Sequence, residues 1–272
     1  MNIRFDYSGK NVIVTGSGKG IGKSIAEAYA KAGAGVIIAD ICEESGRETA
    51  AEIGESGNRV AFMKTDITDE HSVKKLIQDA EYEFGHLDIM VNNAGAVGKI
   101  KGDPLTGMSA EDWDMSYKIN LRGVFYCCRA IYDVFRRQGH GKILNTASVA
   151  GKTGAPEIAE YSAMKAGVIN FTQTLSRELG PYNINVNCIC PGFIYTPLYE
   201  KAAPLYKEKY PEMFREANDG SDVVDVFCDQ LCALKRAQTA EDIANAALFL
   251  TSDEACNITG QALNVCGGCE FR

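Results

Sequence analysis

Ser148 precedes Tyr161 by thirteen residues, Lys165 follows Tyr161 by four, and Asn120 lies upstream within Lys118-Ile119-Asn120-Leu121. A spacing of four on a helix projects two side chains from one face, so Tyr161 and Lys165 are expected side by side. A phenol next to an ammonium is a device for moving protons. Tyrosine at its ordinary pKa of about 10 is a poor base at neutral pH, and a nearby cation favours the phenolate. Lowering that pKa by about 2 to 3 units takes roughly 3 to 4 kcal/mol. Ser148 follows a strand-like run and offers a hydroxyl that can hold a reacting oxygen and stabilise charge developing on it. These groups suit the interconversion of an alcohol and a ketone, in which a proton moves on oxygen while hydride moves on carbon.

A hydride carrier is suggested near the amino end. Val12-Ile-Val-Thr15-Gly16-Ser17-Gly18-Lys19-Gly20-Ile21-Gly22 joins a strand, a glycine-rich turn and a helix start. Glycines let the backbone approach a ligand closely, and the free N–H groups of a helix start attract phosphate. The loop reads T-G-x-x-x-G-x-G, which suits a dinucleotide pyrophosphate. Asp40 ends the next strand, at the place where a carboxylate accepts hydrogen bonds from the ribose of NAD and repels the extra phosphate of NADP. Lys19 argues the other way, because a cation there suits a 2′-phosphate. Asp40 carries more weight, since Ile41-Cys42 beyond it brings no positive charge, and NAD is the expected cofactor.

The elements that would position these residues alternate along the chain. Strand patterns fall at Asn11–Thr15, Gly35–Asp40, Arg59–Lys64, Leu87–Asn92, Gly141–Thr146, Asn183–Ile189 and Gln261–Val265. Helical patterns lie between them at Gly20–Ala32, Glu43–Glu55, Asp69–Phe84, Ala110–Arg137, Ile158–Leu179 and Ala240–Thr251. The last begins with a capping-box pattern, Thr239-Ala-Glu-Asp242. Such alternation predicts an α/β fold, one doubly wound Rossmann-type domain over 1–272, with a seven-stranded parallel sheet and helices on both faces. Pro197–Leu234 interrupts it with short amphipathic helices, read as a substrate lid at the carboxyl edge of the sheet.

Composition narrows the alternatives. The 272 residues carry 28 Lys+Arg against 36 Asp+Glu, and a net charge of −8 gives no footprint for nucleic acid or an anionic membrane. The longest apolar runs fall well short of the roughly 20 residues of a membrane helix, and Met1–Lys10 has no signal-peptide pattern, so a cytoplasmic location is expected. The ten cysteines then read as free thiols, with Cys127, Cys128, Cys188 and Cys190 as small buried hydrophobes. Cys266-Gly-Gly-Cys269 has half the spacing of a zinc site, and Cys228 and Cys232 could share a helix face. Four ligands would need these pairs to meet in space; they are expected not to, and no metal is assigned.

Taken with Asp66, Asn92-Asn93-Ala94-Gly95 and Pro191-Gly192, the loop and the Ser148, Tyr161, Lys165 spacing resemble the short-chain dehydrogenase/reductase family over nearly the whole chain. The resemblance implies that Lys165 holds the nicotinamide ribose and, with the positive oxidised nicotinamide, lowers the Tyr161 pKa, while Asn120 holds a proton-relaying water. It places Asp66 and Ile67 at the adenine end, and Asn92, Asn93, Ala94 and Gly95 along the dinucleotide. Pro191, Gly192, Ile194 and Thr196 fall near the nicotinamide. Relatives commonly form tetramers through helices matching Leu121–Arg137 and Ile158–Leu179. Val265-Cys-Gly-Gly-Cys269 departs from relatives, which often have a polar residue before the two glycines.

Gly151-Lys-Thr-Gly-Ala-Pro-Glu157 and Thr196-Pro-Leu198 are similar to acetoin reductases (butanediol dehydrogenases) and sugar-alcohol dehydrogenases in that family. The expected substrate is therefore a small polyol, vicinal diol or hydroxyketone. Ser148, Glu157, Tyr195 and Leu198 are its candidate contacts, with Glu160 as an alternative partner for a second hydroxyl. Leu198, Tyr199, Leu205, Tyr206, Met213 and Phe214 would instead suit a hydroxysteroid or a 3-oxoacyl thioester if they lined an open cavity. A non-catalytic NAD(H) sensor is the reading from another class, and it would have no need of the complete Ser148, Tyr161, Lys165 set.

Overall fold

Seven short strands form one parallel sheet: β1 (Asn11–Thr15), β2 (Gly35–Asp40), β3 (Val60–Lys64), β4 (Ile89–Asn92), β5 (Gly141–Thr146), β6 (Ile184–Pro191) and β7 (Ala262–Val265), in the order β3-β2-β1-β4-β5-β6-β7. The structure, a computed structural model, describes residues 5–98 and 105–272, without the side chains of Pro197 and Leu198. Side chains alternate across each strand. Ile13, Ile37, Met90 and Ile143 face one core, while Val12, Val14, Ile38, Ile89 and Leu144 face another. Burial on both faces explains why these strands read as continuous apolar runs.

One face is covered by α3 (Glu70–Phe84), α5 (Gly123–Gln138) and α6 (Ala159–Leu179), whose Leu76, Ile131 and Val168 enter the first core. The other is covered by α1 (Gly20–Lys31), α2 (Glu43–Gly54) and, in the numbering used here, α9 (Ala240–Thr251), through Ile25, Tyr29, Ile53 and Ile243. The capping box at Thr239 and Asp242 forms as predicted. Strand order reverses between β1 and β4, and a crevice at the carboxyl ends of strands flanking such a reversal is where ligands bind in open α/β sheets. The glycine-rich loop follows β1 and Asn92-Asn93-Ala94-Gly95 follows β4, so both meet at this crevice.

The single helix expected over Ala110–Arg137 is interrupted. α4 (Ala110–Tyr117) passes into α5 through a π-helical turn, Lys118–Arg122, that contains Asn120. Such a turn accommodates an extra residue in the helical ladder and often marks a functional site. The 197–234 segment forms α7 (Pro197–Lys209) and α8 (Gly220–Leu231). Tyr206, Phe214 and Phe227 pack against one another, with Tyr206–Phe227 and Phe214–Phe227 centroids 5.2 and 5.1 Å apart. Phe227 also stacks on Phe193 just after β6, at 5.2 Å and 6°. These rings build the insertion's own core, which corrects the expectation of an apolar cavity lined by Tyr206 and Phe214. No helix among the described residues is long and apolar enough to cross a membrane.

Candidate active site

α1 shares an uncapped start with α2, α6 and α7, but those three carry an acidic residue in the first turn and α1 does not. α3, α4, α8 and α9 are capped by side chains of Asp69, Ser109, Asp219 and Thr239, whereas α1 begins at Lys19 with no side-chain cap and no acidic residue in its first turn. Its first N–H groups therefore point out without a side-chain acceptor, which suits phosphate oxygens. A Cβ on Gly22 would lie 2.1 Å from the Gly16 carbonyl oxygen, so only glycine lets the helix pack this close to the loop. Gly20 has φ +60° and nothing within 4 Å of where a side chain would begin. The residues fit a dinucleotide pyrophosphate.

Asn93 fastens this loop, donating from Nδ2 to the carbonyl oxygens of Thr15 at 3.1 Å and Gly16 at 3.2 Å. The backbone N–H groups of Asn93 and Ala94 donate to Thr15 Oγ1, each at 3.1 Å. Thr15 thus locks the β1 and β4 loops together, a role the sequence left unassigned. Two expectations shift here. Ser17 is fully buried, its hydroxyl donating to Val14 O and accepting from Ala39 N, so only its backbone is available to a cofactor. Asn92 points sideways to Asn145 Oδ1 at 2.8 Å, within the sheet, and does not line the crevice. Ile21 and Ile194 turn their side chains to the core below α1 and α9.

Asp40 bends over the loop, where Oδ2 accepts from Gly18 N at 2.8 Å and Oδ1 from Cys42 N at 2.9 Å. Lys19 and Ile41 are both exposed beside it. Asp66 Oδ1 accepts from the backbone and hydroxyl of Thr68, both at 2.8 Å, and holds the β3 turn, while Ile67 is buried beneath Gly123.

The β5 end and α6 bring Ser148, Tyr161 and Lys165 together. Ser148 caps a short turn, its Oγ accepting from Ala150 N at 3.1 Å. Lys165 is 2% exposed, with Nζ donating to Thr146 O at 2.7 Å and lying 5.5 Å from the Tyr161 ring centroid. Burial pushes the Tyr161 phenol up to about 12, opposed by the Ser148 hydroxyl and reinforced by Cys190. Burial also lowers the Lys165 ammonium to about 8. Burial by itself works against the phenolate, so the lowering that the family resemblance implies falls to Lys165, beside the Tyr161 ring, and the oxidised nicotinamide together.

A neutral phenol is a ready proton donor and a reluctant base. Carbonyl reduction should therefore hold its rate from about pH 6 to about pH 8, while alcohol oxidation climbs up to about tenfold per pH unit as the phenolate population grows. Initial rates in both directions across that range check this, and a pH-independent oxidation rate would contradict it.

Asn120 is fully buried in the π turn. Its Oδ1 accepts from Ala96 N at 3.0 Å, and its Nδ2 donates to Ala96 O at 2.8 Å and Ser116 Oγ at 3.2 Å. It clamps the β4 loop, with Gly95 between Asn120 Oδ1 and Lys165 Nζ.

The substrate expectations divide. Glu157 is occupied: Lys209 Nζ donates to its Oε1 at 2.8 Å and Tyr210 Oη at 3.1 Å, which ties the end of α7 to the turn before α6. Burial opposes its charge, but Lys209, its own backbone and Tyr210 hold it below the usual carboxylate range. Tyr195 is 48% exposed and donates to Glu200 Oε2 at 3.3 Å, placing it on the rim. Leu198 lies outside the described side chains. Glu160 is different: it is 5% exposed and forms no hydrogen bond or ion pair among the described residues. Its Oε1 lies 3.0 Å from where a side chain on Gly98 would begin, so it faces the β4 loop next to Tyr161. Gly192 packs against Cys266 and Gln238 after Pro191 ends β6, and Thr196 stands at the start of α7.

Comparison with known proteins agrees with this arrangement. Residues 16–270 match the family model described as enoyl-(acyl carrier protein) reductase. The chain is 37% identical to a (2S)-[(R)-hydroxy(phenyl)methyl]succinyl-CoA dehydrogenase subunit of Thauera aromatica, over 94% of each chain. It is 36% identical to the 3-oxoacyl-[acyl-carrier-protein] reductase of Chlamydia muridarum, over 95% of this chain and 96% of that protein. A "probable galactose dehydrogenase" of Rhizobium meliloti is 34% identical, over 97% and 96%. The chain is a nicotinamide-dependent oxidoreductase of CH–OH groups and belongs to the short-chain dehydrogenase/reductase family.

Proposed function

We propose that this protein interconverts a small vicinal diol or polyol and its hydroxyketone, with NAD(H) as the hydride carrier. The observation that carries the substrate reading is Glu160. Its carboxylate stands next to Tyr161 with no hydrogen bond to a described residue, and a second hydroxyl beside the reacting carbon would be a donor for it. A 3-oxoacyl thioester presents a carbonyl there and would leave the carboxylate without a partner. In the proposed reaction Ser148 and Tyr161 hold the substrate oxygen, and Tyr161 donates its proton to that oxygen during reduction or takes it during oxidation. Lys165 holds the ribose side of the cofactor. The nicotinamide, when bound, supplies or accepts the hydride. Asn120 and Thr15 keep the β4 loop in place beneath it.

Glu160→Gln keeps the shape and removes the charge, so it should lower kcat/KM for diols by about 10-fold to 100-fold, in line with about 1.5 to 3 kcal/mol for a hydrogen bond to a charged group. Simple secondary alcohols should change by less than about threefold. A panel of diols, polyols, mono-alcohols, steroids and 3-oxoacyl thioesters, read by NADH absorbance, gives both results. Equal losses on all substrates would overturn the assignment of Glu160. The second reading, reduction of a 3-oxoacyl thioester, is favoured by the names of two of the relatives above, and turnover of acetoacetyl-CoA with no diol turnover would establish it in place of the first. The hydroxysteroid reading keeps fewer of its side chains, because Tyr206 and Phe214 pack within the insertion's own core.

A further inference from the structure

Four of the ten cysteines form a group apart from the reacting residues, contrary to the expectation that Cys228 and Cys232 would stay distant from Cys266 and Cys269. Cys228 lies on the last turn of α8, Cys232 caps it, and Cys266 and Cys269 flank the turn after β7. Cys269 N donates to Cys266 O at 3.3 Å, and Gly267 and Gly268 between them have φ +62° and +80°, a turn that needs glycine at both central positions. Alongside it, Leu234 N donates to Gly267 O at 2.9 Å and Ala233 N to Gly268 O at 3.4 Å. The two segments run antiparallel, and the next step of that pairing sets Cys232 opposite Cys269.

Packing agrees with this register. A side chain on Gly268 would begin 2.8 Å from Ala233 Cβ, and one on Gly267 would begin 3.7 Å from Cys232 Cβ, so the glycines permit the close approach. Cys228, Cys232 and Cys269 share one apolar cluster with Val224, Phe193 and Tyr199. Cys228, Cys232 and Cys266 are buried, and Cys269 alone of the four is partly open to solvent. Among the described residues no group of three or more such side chains is arranged to hold a metal ion. Cys228 and Cys232 are four apart at a helix end, where Cβ atoms stand about 5 to 6 Å apart, wider than the 3.5 to 4.5 Å of a disulfide. Directly opposed residues of an antiparallel pair come within about 4.5 to 5.5 Å, and closer where the backbones are not hydrogen-bonded.

We propose that Cys232 and Cys269 form a reversible disulfide that fastens the carboxyl end of the 197–234 insertion to the turn after β7. With a low-molecular-weight disulfide such as oxidised glutathione, the deprotonated Cys269 sulfur attacks one glutathione sulfur and breaks its S–S bond. The first glutathione leaves as thiolate and takes up a proton. Deprotonated Cys232 then attacks the Cys269 sulfur of the mixed disulfide and releases the second glutathione. The protein loses two hydrogens and the oxidant becomes two glutathione thiols. Burial and the neighbouring Cys266 and Cys232 sulfurs raise the Cys269 thiol above its usual range, so its attack on the oxidant is slow at neutral pH and speeds up as pH rises. Tyr199 connects the pair to the reacting residues: it packs in the same cluster, and its phenol lies within electrostatic reach of both Tyr161 and Cys269.

The test treats the full chain with oxidised glutathione, counts thiols after denaturation and maps linked peptides by mass spectrometry without reduction. The expected result is a loss of two thiols from the ten in the sequence, a Cys232–Cys269 cross-linked peptide, a higher Tm, and full reversal by dithiothreitol. Cys232→Ser and Cys269→Ser should each lose no pair. Cys232→Ala, which suits the apolar surroundings, repeats the test with a variant that keeps the packing polarity. A link between Cys266 and Cys269, no loss of thiols in the wild-type chain, or one zinc ion per chain shielding all four thiols would each overturn the proposal.

Discussion

Tyr161→Phe is expected to lower kcat in both directions by about 10²-fold to 10⁴-fold, the range supplied by a positioned proton donor, while the Kd for NADH changes by less than about twofold. The substitution removes one oxygen from a ring that is otherwise retained against α6. Lys165 loses no hydrogen bond, since its Nζ donates to Thr146 O and not to the phenol. The Gly16–Gly22 loop and Asp40 lie on the other side of the crevice, at the ends of β1 and β2. The missing proton corresponds to about 3 to 5 kcal/mol of transition-state stabilisation. Steady-state kinetics with the best substrate of the panel, together with a fluorescence titration of NADH, separate the two effects. Residual activity within about tenfold of the wild type would show that another group delivers the proton. The sensor reading makes the opposite forecast, because a protein that only reports NAD(H) would show no wild-type turnover for Tyr161→Phe to remove.

The fold was legible because its strands are buried on both faces and its loops carry their own chemistry. Strand positions, the α9 capping box and the placement of the β1 and β4 loops follow from apolar runs, glycine spacing and Asp40. What sequence could not show depends on competition among neighbours in space. Glu157 and Glu160 are equivalent as letters, yet Lys209 and Tyr210 reach one from the far end of α7 and nothing described reaches the other. Asn92 and Asn93 are adjacent, but strand alternation turns the first to Asn145 and leaves the second to hold Thr15 and Gly16. The π turn at Lys118–Arg122 gave no signal in a run that reads as one helix. The Tyr161–Lys165 pairing follows from the four-residue spacing, whereas the burial that raises the phenol is a property of the assembled site.

Asp40→Asn is expected to reduce the preference for NADH over NADPH, as a ratio of kcat/KM values, by about 10²-fold to 10³-fold. Two unit charges about 4 Å apart near a protein surface interact by about 4 kcal/mol, which is about a thousandfold, and the 2′-phosphate would meet the Asp40 carboxylate as a like charge. Asparagine keeps the oxygen that accepts from Gly18 N or Cys42 N, so the loop retains one of the two hydrogen bonds that Asp40 gives it. The ribose of NADH loses a charged acceptor, worth about 1.5 to 3 kcal/mol in such bonds, and the phosphate of NADPH loses its repulsion. Both changes move the ratio the same way. Lys19, exposed at the start of α1, is a cation available to a 2′-phosphate, so adding Lys19→Ala should return part of the lost discrimination by weakening NADPH alone. Kinetics with both cofactors on the wild type, Asp40→Asn and the double variant decide the matter. A wild type that prefers NADPH, or an unchanged ratio in Asp40→Asn, would mean that the carboxylate serves the loop and leaves the choice of cofactor to other residues.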